Sequence, residues 1–224
     1  YATYQGRDCN DFVIMVSGDA SYDGTAGIDN FELRYIVSGD AHLLQLLRNG
    51  LVVDSRPLAA VEGYTVNGLA GNDTLLVNDD ASGGFFDVEV TYNGGADVDS
   101  LAVIGDSSQA FNQVTFNYDA ATGNPNAQSG SIDQDGTLIY FTGLAPIAYT
   151  GDVVNMTFNL PGSGDAGVLA DFGGQLQLSS TSSQFETTVF DGPTGSLIIN
   201  LGGDNATFNV NSLSNLDGGA TFTV

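Results

Sequence analysis

Short runs of alternating apolar and polar residues, separated by turns rich in glycine and aspartate, make up most of this chain. Residues 157–160 (TFNL), 207–210 (TFNV) and 221–224 (TFTV) are near-copies of one another. In an extended strand, each of them places Phe and Leu or Val on one face and Thr or Asn on the other. Helical periodicity is nearly absent, and 30 glycines supply the turns that many short strands need. The sequence therefore predicts an all-β protein.

The strongest local signal is Asn49-Gly50, which lies between two apolar runs. A two-residue type I′ turn needs a positive φ at both central positions, and Asn-Gly meets that need best. We therefore expect residues 43–48 and 51–55 to pair as a β-hairpin, preceded by a strand at 31–37 that turns at Gly39-Asp40. Residues 1–60 are thus predicted to form N-terminal strands with an antiparallel hairpin region.

A second turn pattern recurs farther along the chain. A glycine turn begins at Gly24, Gly68 and Gly94, and each copy leads through an aspartate into an apolar strand. Such self-similarity is typical of repeat proteins, in which strands of successive rungs stack about 4.8 Å apart and bury one shared apolar face. Residues 61–224 are therefore predicted to form a β-solenoid, or parallel β-helix-like stack, continuous with the hairpin region as one domain.

The charge balance is strongly acidic. The chain has 27 acidic residues and a net charge of −23. Its four cationic side chains are all arginines, the last of which is Arg56. This charge repels nucleic acid and anionic membranes and favours a medium with salt or divalent cations. Because no run of 18 apolar residues occurs, we also predict no insertion into a membrane.

Residues suited to catalysis are scarce. Cys9 and His42 are the single cysteine and the single histidine, so neither an internal disulfide nor a zinc site of ordinary composition is predicted. A β-helix enzyme acting on polysaccharides is the least favoured alternative. The groove of such an enzyme uses cationic groups and often Trp, whereas this chain has no Lys, no Trp and no Arg beyond Arg56. We predict that the protein is not an enzyme.

Residues 68–75 (GLAGNDTL) resemble the calcium-binding nonapeptide of repeats-in-toxin proteins. The wider context, over 43–58 and 137–210, is similar to β-solenoid-like modules of giant secreted bacterial surface proteins. This resemblance implies an extracellular or cell-surface location, and no cofactor except calcium. The nonapeptides are not in tandem here, and one turn supplies fewer than the roughly six to eight oxygens that calcium takes. Two interpretations stay open for the aspartates of these turns, namely calcium ligands or plain turn residues: Asp29, Asp73, Asp97 and Asp99.

The last strand motif ends at Val224 without a polar cap, and an uncapped strand edge invites another strand. We expect head-to-tail assembly in which Phe222 and Val224 meet Phe12, Ile14 and Val16 of the next subunit. The predicted function is a structural subunit or module of an extracellular filament or surface layer, whose partners are further copies or adjacent modules of the same chain. The alternative is a calcium-stiffened adhesion module of a giant surface protein. A start at Tyr1 favours a processed subunit or a slice of a longer protein.

Overall fold

A computed structural model describes residues 17–119, 128–162, 166–203 and 206–224. These residues form 18 β-strands in one large mixed sheet, with one short 3₁₀ turn at Leu58–Ala60 and no α-helix among them. The all-β prediction is confirmed. The strands are β1 (Gly18–Asp23), β2 (Asn30–Ser38), β3 (Ala41–Arg48), β4 (Leu51–Pro57), β5 (Val61–Ala70), β6 (Thr74–Asn78), β7 (Glu89–Ala96), β8 (Asp99–Ile104), β9 (Phe111–Tyr118), β10 (Gln128–Gln134), β11 (Thr137–Thr150), β12 (Val153–Asn159), β13 (Ala166–Phe172), β14 (Gln175–Ser180), β15 (Thr188–Phe190), β16 (Ser196–Asn200), β17 (Thr207–Val210) and β18 (Thr221–Thr223).

The strand pairs fall into two long rows. The first row runs β1, β5, β7, the first part of β11, β10, β9, β12, β16 and β18. The second row runs β4, β3, β2, β6, β8, the last part of β11, β15, β14, β13 and β17. The 14-residue strand β11 belongs to both rows and joins them. Most neighbours are parallel, and the hairpins β2–β3–β4, β9–β10–β11 and β13–β14–β15 supply the antiparallel pairs.

The predicted N-terminal hairpin is confirmed. β3 pairs with β4 in antiparallel fashion, and β2 pairs with β3 across the turn at Gly39-Asp40. Asn49 and Gly50 have φ values of 51° and 78°, as a type I′ turn requires. β1 pairs with β5, and β2 pairs with β6. Strands from the first 60 residues therefore belong to the same two rows as the strands of residues 61–224.

Register aligns buried side chains into columns that cross many strands. One first-row column passes through eight strands, and all its members are buried: Ala20, Tyr64, Val90, Ile139, Ile132, Phe116, Phe158 and Ile199. The rings of Phe116 and Phe158 stack with centroids 4.6 Å apart. Phe158 also contacts Phe190 of the second row at 4.8 Å. The two rows therefore share one hydrophobic core.

Polar side chains form ladders on the other face of the first row. In one ladder Asn93 donates to Asn67, which donates to Asp23, at 2.8 and 2.7 Å. In another, Asn200 donates to Asn159, which donates to Asn117, at 2.7 and 2.6 Å. Asn side chains on this face thus form ladders, and the central amide of each ladder, Asn67 or Asn159, binds both neighbours, which favours strict register.

Three sequence expectations need correction. The near-copies do not occupy equivalent places, because 157–160 and 221–224 belong to the first row whereas 207–210 lies in the second. The apolar residues of 85–92 predict a single strand there, whereas residues 85–88 precede β7, which begins at Glu89. The sequence reading also missed β1 and β10. Since Ile132 is the one large apolar residue of β10, its pairing with β9 and β11, and not its composition, makes it a strand.

We expect Phe158→Ala to lower the free energy of unfolding by about 3–5 kcal/mol, because it leaves a cavity between two stacked rings at the centre of the core. Urea denaturation would measure the loss. The matched control is Phe172→Ala, at a side chain that is 52% exposed, with an expected change within about 0.5 kcal/mol. Equal losses for the two variants would contradict the shared core.

Candidate functional site: the aspartate column

The recurring Gly/Asp turns stack directly on one another. Register places Gly24, Gly68, Gly94 and Gly143 side by side where the first row turns towards the second. A Cβ atom on Gly94 would lie 2.6 Å from Cβ of Asp99 and 2.8 Å from the carbonyl oxygen of Gly143. Glycine is therefore required here because the aspartate of the same turn folds back over it.

The aspartates that follow these glycines form a second column. The backbone N–H of Asp29 donates to Oδ1 of Asp73 at 2.8 Å, and that of Asp73 donates to Oδ1 of Asp99 at 2.8 Å. All three side chains are buried. The carboxylates of Asp73 and Asp99 thus each bind the backbone of the turn before them, and the turns remain in register at the corner as well as along the strands.

The negative charge of Asp29, the first member of the column, is offset by hydrogen bonds and a nearby cation. Oδ2 of Asp29 accepts hydrogen bonds from N and Oγ1 of Thr25 at 2.6 and 2.9 Å. Its Oδ1 accepts one from Nδ2 of Asn49 at 3.2 Å and lies 3.7 Å from Nε of Arg48. The hairpin β3–β4 therefore brings both a cation and an amide to this carboxylate.

The next two members of the column, Asp73 and Asp99, each have one carboxylate oxygen without such partners. Oδ2 of Asp73, Oδ2 of Asp99 and the hydroxyl of Tyr92 are buried, and none has a hydrogen-bond partner among the described residues. Burial and the neighbouring carboxylates of Asp99, Asp29 and Asp97 raise the pKa of Asp73 to about 6. Burial and Asp97 also raise the pKa of Asp99. The column therefore makes ionisation of these two carboxyl groups less favourable than it is in water.

Asp97 lies at the exposed side of the same corner. Its Oδ2 accepts the N–H of Gly71 at 3.1 Å, and Oδ1 of Asn72 accepts the N–H of Val98 at 3.2 Å. Asp97 has a φ of 81°, a conformation that Asp tolerates better than most residues. It therefore braces two successive turns from outside.

The structure thus brings together three of the four predicted calcium residues and places Asp97 beside them. Within the part of the chain that the structure describes, no group of three or more His, Cys, Asp or Glu side chains is arranged to hold a metal ion. The column acts mainly as a backbone acceptor, which supports the turn interpretation of these aspartates. Calcium binding at Asp73 and Asp99 stays a prediction.

Sequence reasoning missed further buried carboxyl groups, among them Asp79 and Glu186. Oδ2 of Asp79 accepts a hydrogen bond from Nε2 of Gln134, which also donates to the hydroxyl of Tyr149, both at 3.2 Å. Burial raises the pKa of Asp79 to about 7 and that of Glu186 to about 7. Each follows or precedes a strand of the second row, but nothing in the local sequence separates it from the many exposed acids.

The predicted assembly residues lie in two parts of the chain. Phe12, Ile14 and Val16 fall outside the described residues. Phe222 packs partly buried against the core, and Val224 is 54% exposed. Both lie at the end of the first row, beside β16.

Comparisons with known proteins identify no matching family, no similar curated protein and no similar solved structure. The resemblance to bacterial surface modules therefore stays a prediction. No helix among the described residues is both long and apolar enough to span a bilayer.

We predict that Gly94→Ala destabilises the fold by about 1–3 kcal/mol, the usual cost of overpacking. The added methyl group would collide with Asp99 and with the backbone of the next turn. Thermal unfolding would measure the change. Gly218→Ala is the control, because a Cβ there meets nothing within 4 Å. A Gly94 variant as stable as the Gly218 variant would show that the corner is not closely packed.

We also expect the stability of the Asp73→Asn variant, relative to that of the unsubstituted protein, to increase as the pH rises. The folded-state pKa of about 6 exceeds the ordinary value of 3.8, so the folded state binds more protons between these values. The contribution of Asp73 to stability is fully present below its ordinary pKa of 3.8, and it is lost as the pH rises through the folded-state pKa of about 6. Asn mimics the protonated form, and its advantage over Asp should therefore appear between about pH 4 and about pH 7.

Denaturant titrations across this pH range would test the expectation. Asp40→Asn, at an exposed turn residue, is the matched control for the loss of one negative charge. If both variants change stability equally at every pH, the charge of the whole protein, and not burial in the column, is responsible.

Proposed function

We propose that this chain is a non-catalytic structural module, a β-solenoid that stacks head to tail with other copies in an extracellular filament or surface layer. The observation that supports it is the alignment of side chains into columns that cross the strands of both rows. The first-row column from Ala20 to Ile199 crosses eight strands without a break. A stack of this kind is stiff along its axis, because every strand inside the rows is bonded to two neighbours.

The path of the chain supports the solenoid interpretation. Successive strands lead from the first row into the second through the corner turns: β1 to β2, β5 to β6, β7 to β8, β12 to β13 and β16 to β17. We call each such pair of strands a rung, and β11 forms a rung by itself. The rungs pair in parallel with earlier or later rungs, as repeated turns of one coil do.

Composition supports the location. The acidic surface, with a net charge of −23, favours solubility and is screened by salt. The fold uses no disulfide between described residues, and its stability rests on the ladders, the core and the corner turns. Such a module suits a saline extracellular medium, in which it would act as a spacer or as a structural element of a surface layer.

A calcium-stiffened adhesion module is the second candidate. The buried, unpartnered oxygens of Asp73 and Asp99 favour it, since a cation between these two carboxylates would offset their charge. Calcium would then be held inside the corner by Asp73 and Asp99, where the buried hydroxyl of Tyr92 also has no partner among the described residues. Both candidates share the stacked architecture and differ in what stabilises it.

We expect purified protein to form polymers that size-exclusion chromatography detects and electron microscopy resolves as filaments or sheets. Phe222→Asp should reduce assembly at least tenfold, because a charge at the end of the core opposes stacking. Phe172→Asp, at an exposed phenylalanine in an interior rung, is the matched control.

The measurement is made with calcium and with chelator. Assembly in both conditions supports the structural module, and assembly or thermal stabilisation that needs calcium and is lost in Asp73→Asn supports the second candidate. A chain that stays monomeric at high concentration in both conditions contradicts the first.

A further inference from the structure

Each end of the two rows presents two strands whose outer edges have no partner strand among the described residues. At one end these are β1 of the first row and β4 of the second, which pair only with β5 and β3. At the other end they are β18 and β17, which pair only with β16 and β13. Unpaired edges of this kind are templates for a further strand.

The four edge strands match in direction. In the first row, the two antiparallel steps at β10 cancel, so β18 runs in the same direction as β1. In the second row, the hairpins β2–β3–β4 and β13–β14–β15 each contribute two antiparallel steps, and β17 therefore runs in the same direction as β4. A second copy stacked end to end would meet both edges in parallel, which is the commonest pairing within the rows.

The edges also match in register. One second-row column begins at Leu51 on β4, ends at Val210 on β17 and passes through every strand between them: Arg48, Phe31, Leu75, Leu101, Ile147, Thr188, Leu178 and Leu169. In the first row, the column that starts at Ala20 reaches Ile199, and the pairing of Ile198 with Thr223 places Val224 next to it. The two ends of each column face the same way.

Three of the four end residues of these columns are apolar and exposed, and the fourth, Ala20 on β1, is buried. Leu51 is 72% exposed, Val210 is 44% exposed and Val224 is 54% exposed, whereas the interior members of the columns are buried except for the half-buried Arg48. Charge is compatible as well. β4 carries the ion pair of Asp54 and Arg56 and β1 carries Asp19 and Asp23, whereas β17 and β18 contain no charged residue. Docking these edges buries apolar side chains and places no two acids of the paired strands opposite each other.

We propose that a second copy of this chain docks with its β4 and β1 on β17 and β18 of the first, in parallel and in register, so that Val210 lies beside Leu51 of the next copy. The contact is heterologous, and its repetition gives an open filament. The inference rests on the proposed function and specifies its interface. It differs from pairing through residues 12–16, which lie outside the described chain.

Cysteine cross-linking tests this register. Paired residues of neighbouring strands lie about 4.8 Å apart, which is within the range that a disulfide bridges. In a Cys9→Ser background, a mixture of Leu51→Cys and Val210→Cys proteins should give covalent dimers under mild oxidation, at least tenfold more than either protein alone. One chain that carries both substitutions should give a ladder of covalent oligomers on a non-reducing gel.

The control replaces Val210→Cys with Phe172→Cys, which has similar exposure but lies on an interior rung, on β13. Circular dichroism confirms that each variant is folded. Dimers that form equally with the control, or mainly between two Leu51→Cys chains, overturn the proposed register. Polymers without the Leu51–Val210 cross-link overturn the inference but leave the proposed function in place, and a chain that never associates removes both.

Discussion

Parallel backbone pairing in strict register is the interaction on which the rest of this structure depends. It sets every rung against the next, and side chains of one kind consequently fall into columns. Apolar columns such as that of Phe116 and Phe158 form the core, and amide columns such as that of Asn67 and Asn93 form hydrogen bonds between strands on the other face. A shift of one residue would exchange the two faces of a strand, so core and ladder enforce the same register.

The corner turns between the two rows depend on side chains for their backbone hydrogen bonds. A chain that turns between rows must satisfy its backbone groups where the strand ladder is interrupted. Here glycines leave room for aspartates, whose carboxylates accept the N–H groups of neighbouring turns. The solution has an electrostatic cost, because Asp73 and Asp99 are buried without the cation that Arg48 provides to Asp29. Protonation lowers this cost, which explains why the pKa of Asp73 is raised.

Burial is uneven along the rows. Interior strands have closed edges and fully buried core residues, whereas β17 and β18 have none that is fully buried. In the assembly that we propose, a stack grows by adding a strand to each row, and one copy joins another by the same backbone pairing that joins neighbouring strands. The function we propose needs no separate binding surface, because the interface is the continuation of the fold.

The sequence by itself determined the strand class, the Asn49-Gly50 hairpin and the glycine-aspartate corners, since alternation, positive φ and turn chemistry are local properties. Tertiary structure alone decided which strands are neighbours. It placed the near-copies 157–160 and 207–210 in different rows, made a strand of the weakly apolar 128–134, and buried Asp79 and Glu186 among many exposed acids. Pairing and burial depend on residues far away in the chain, and short sequence patterns carry no record of those partners.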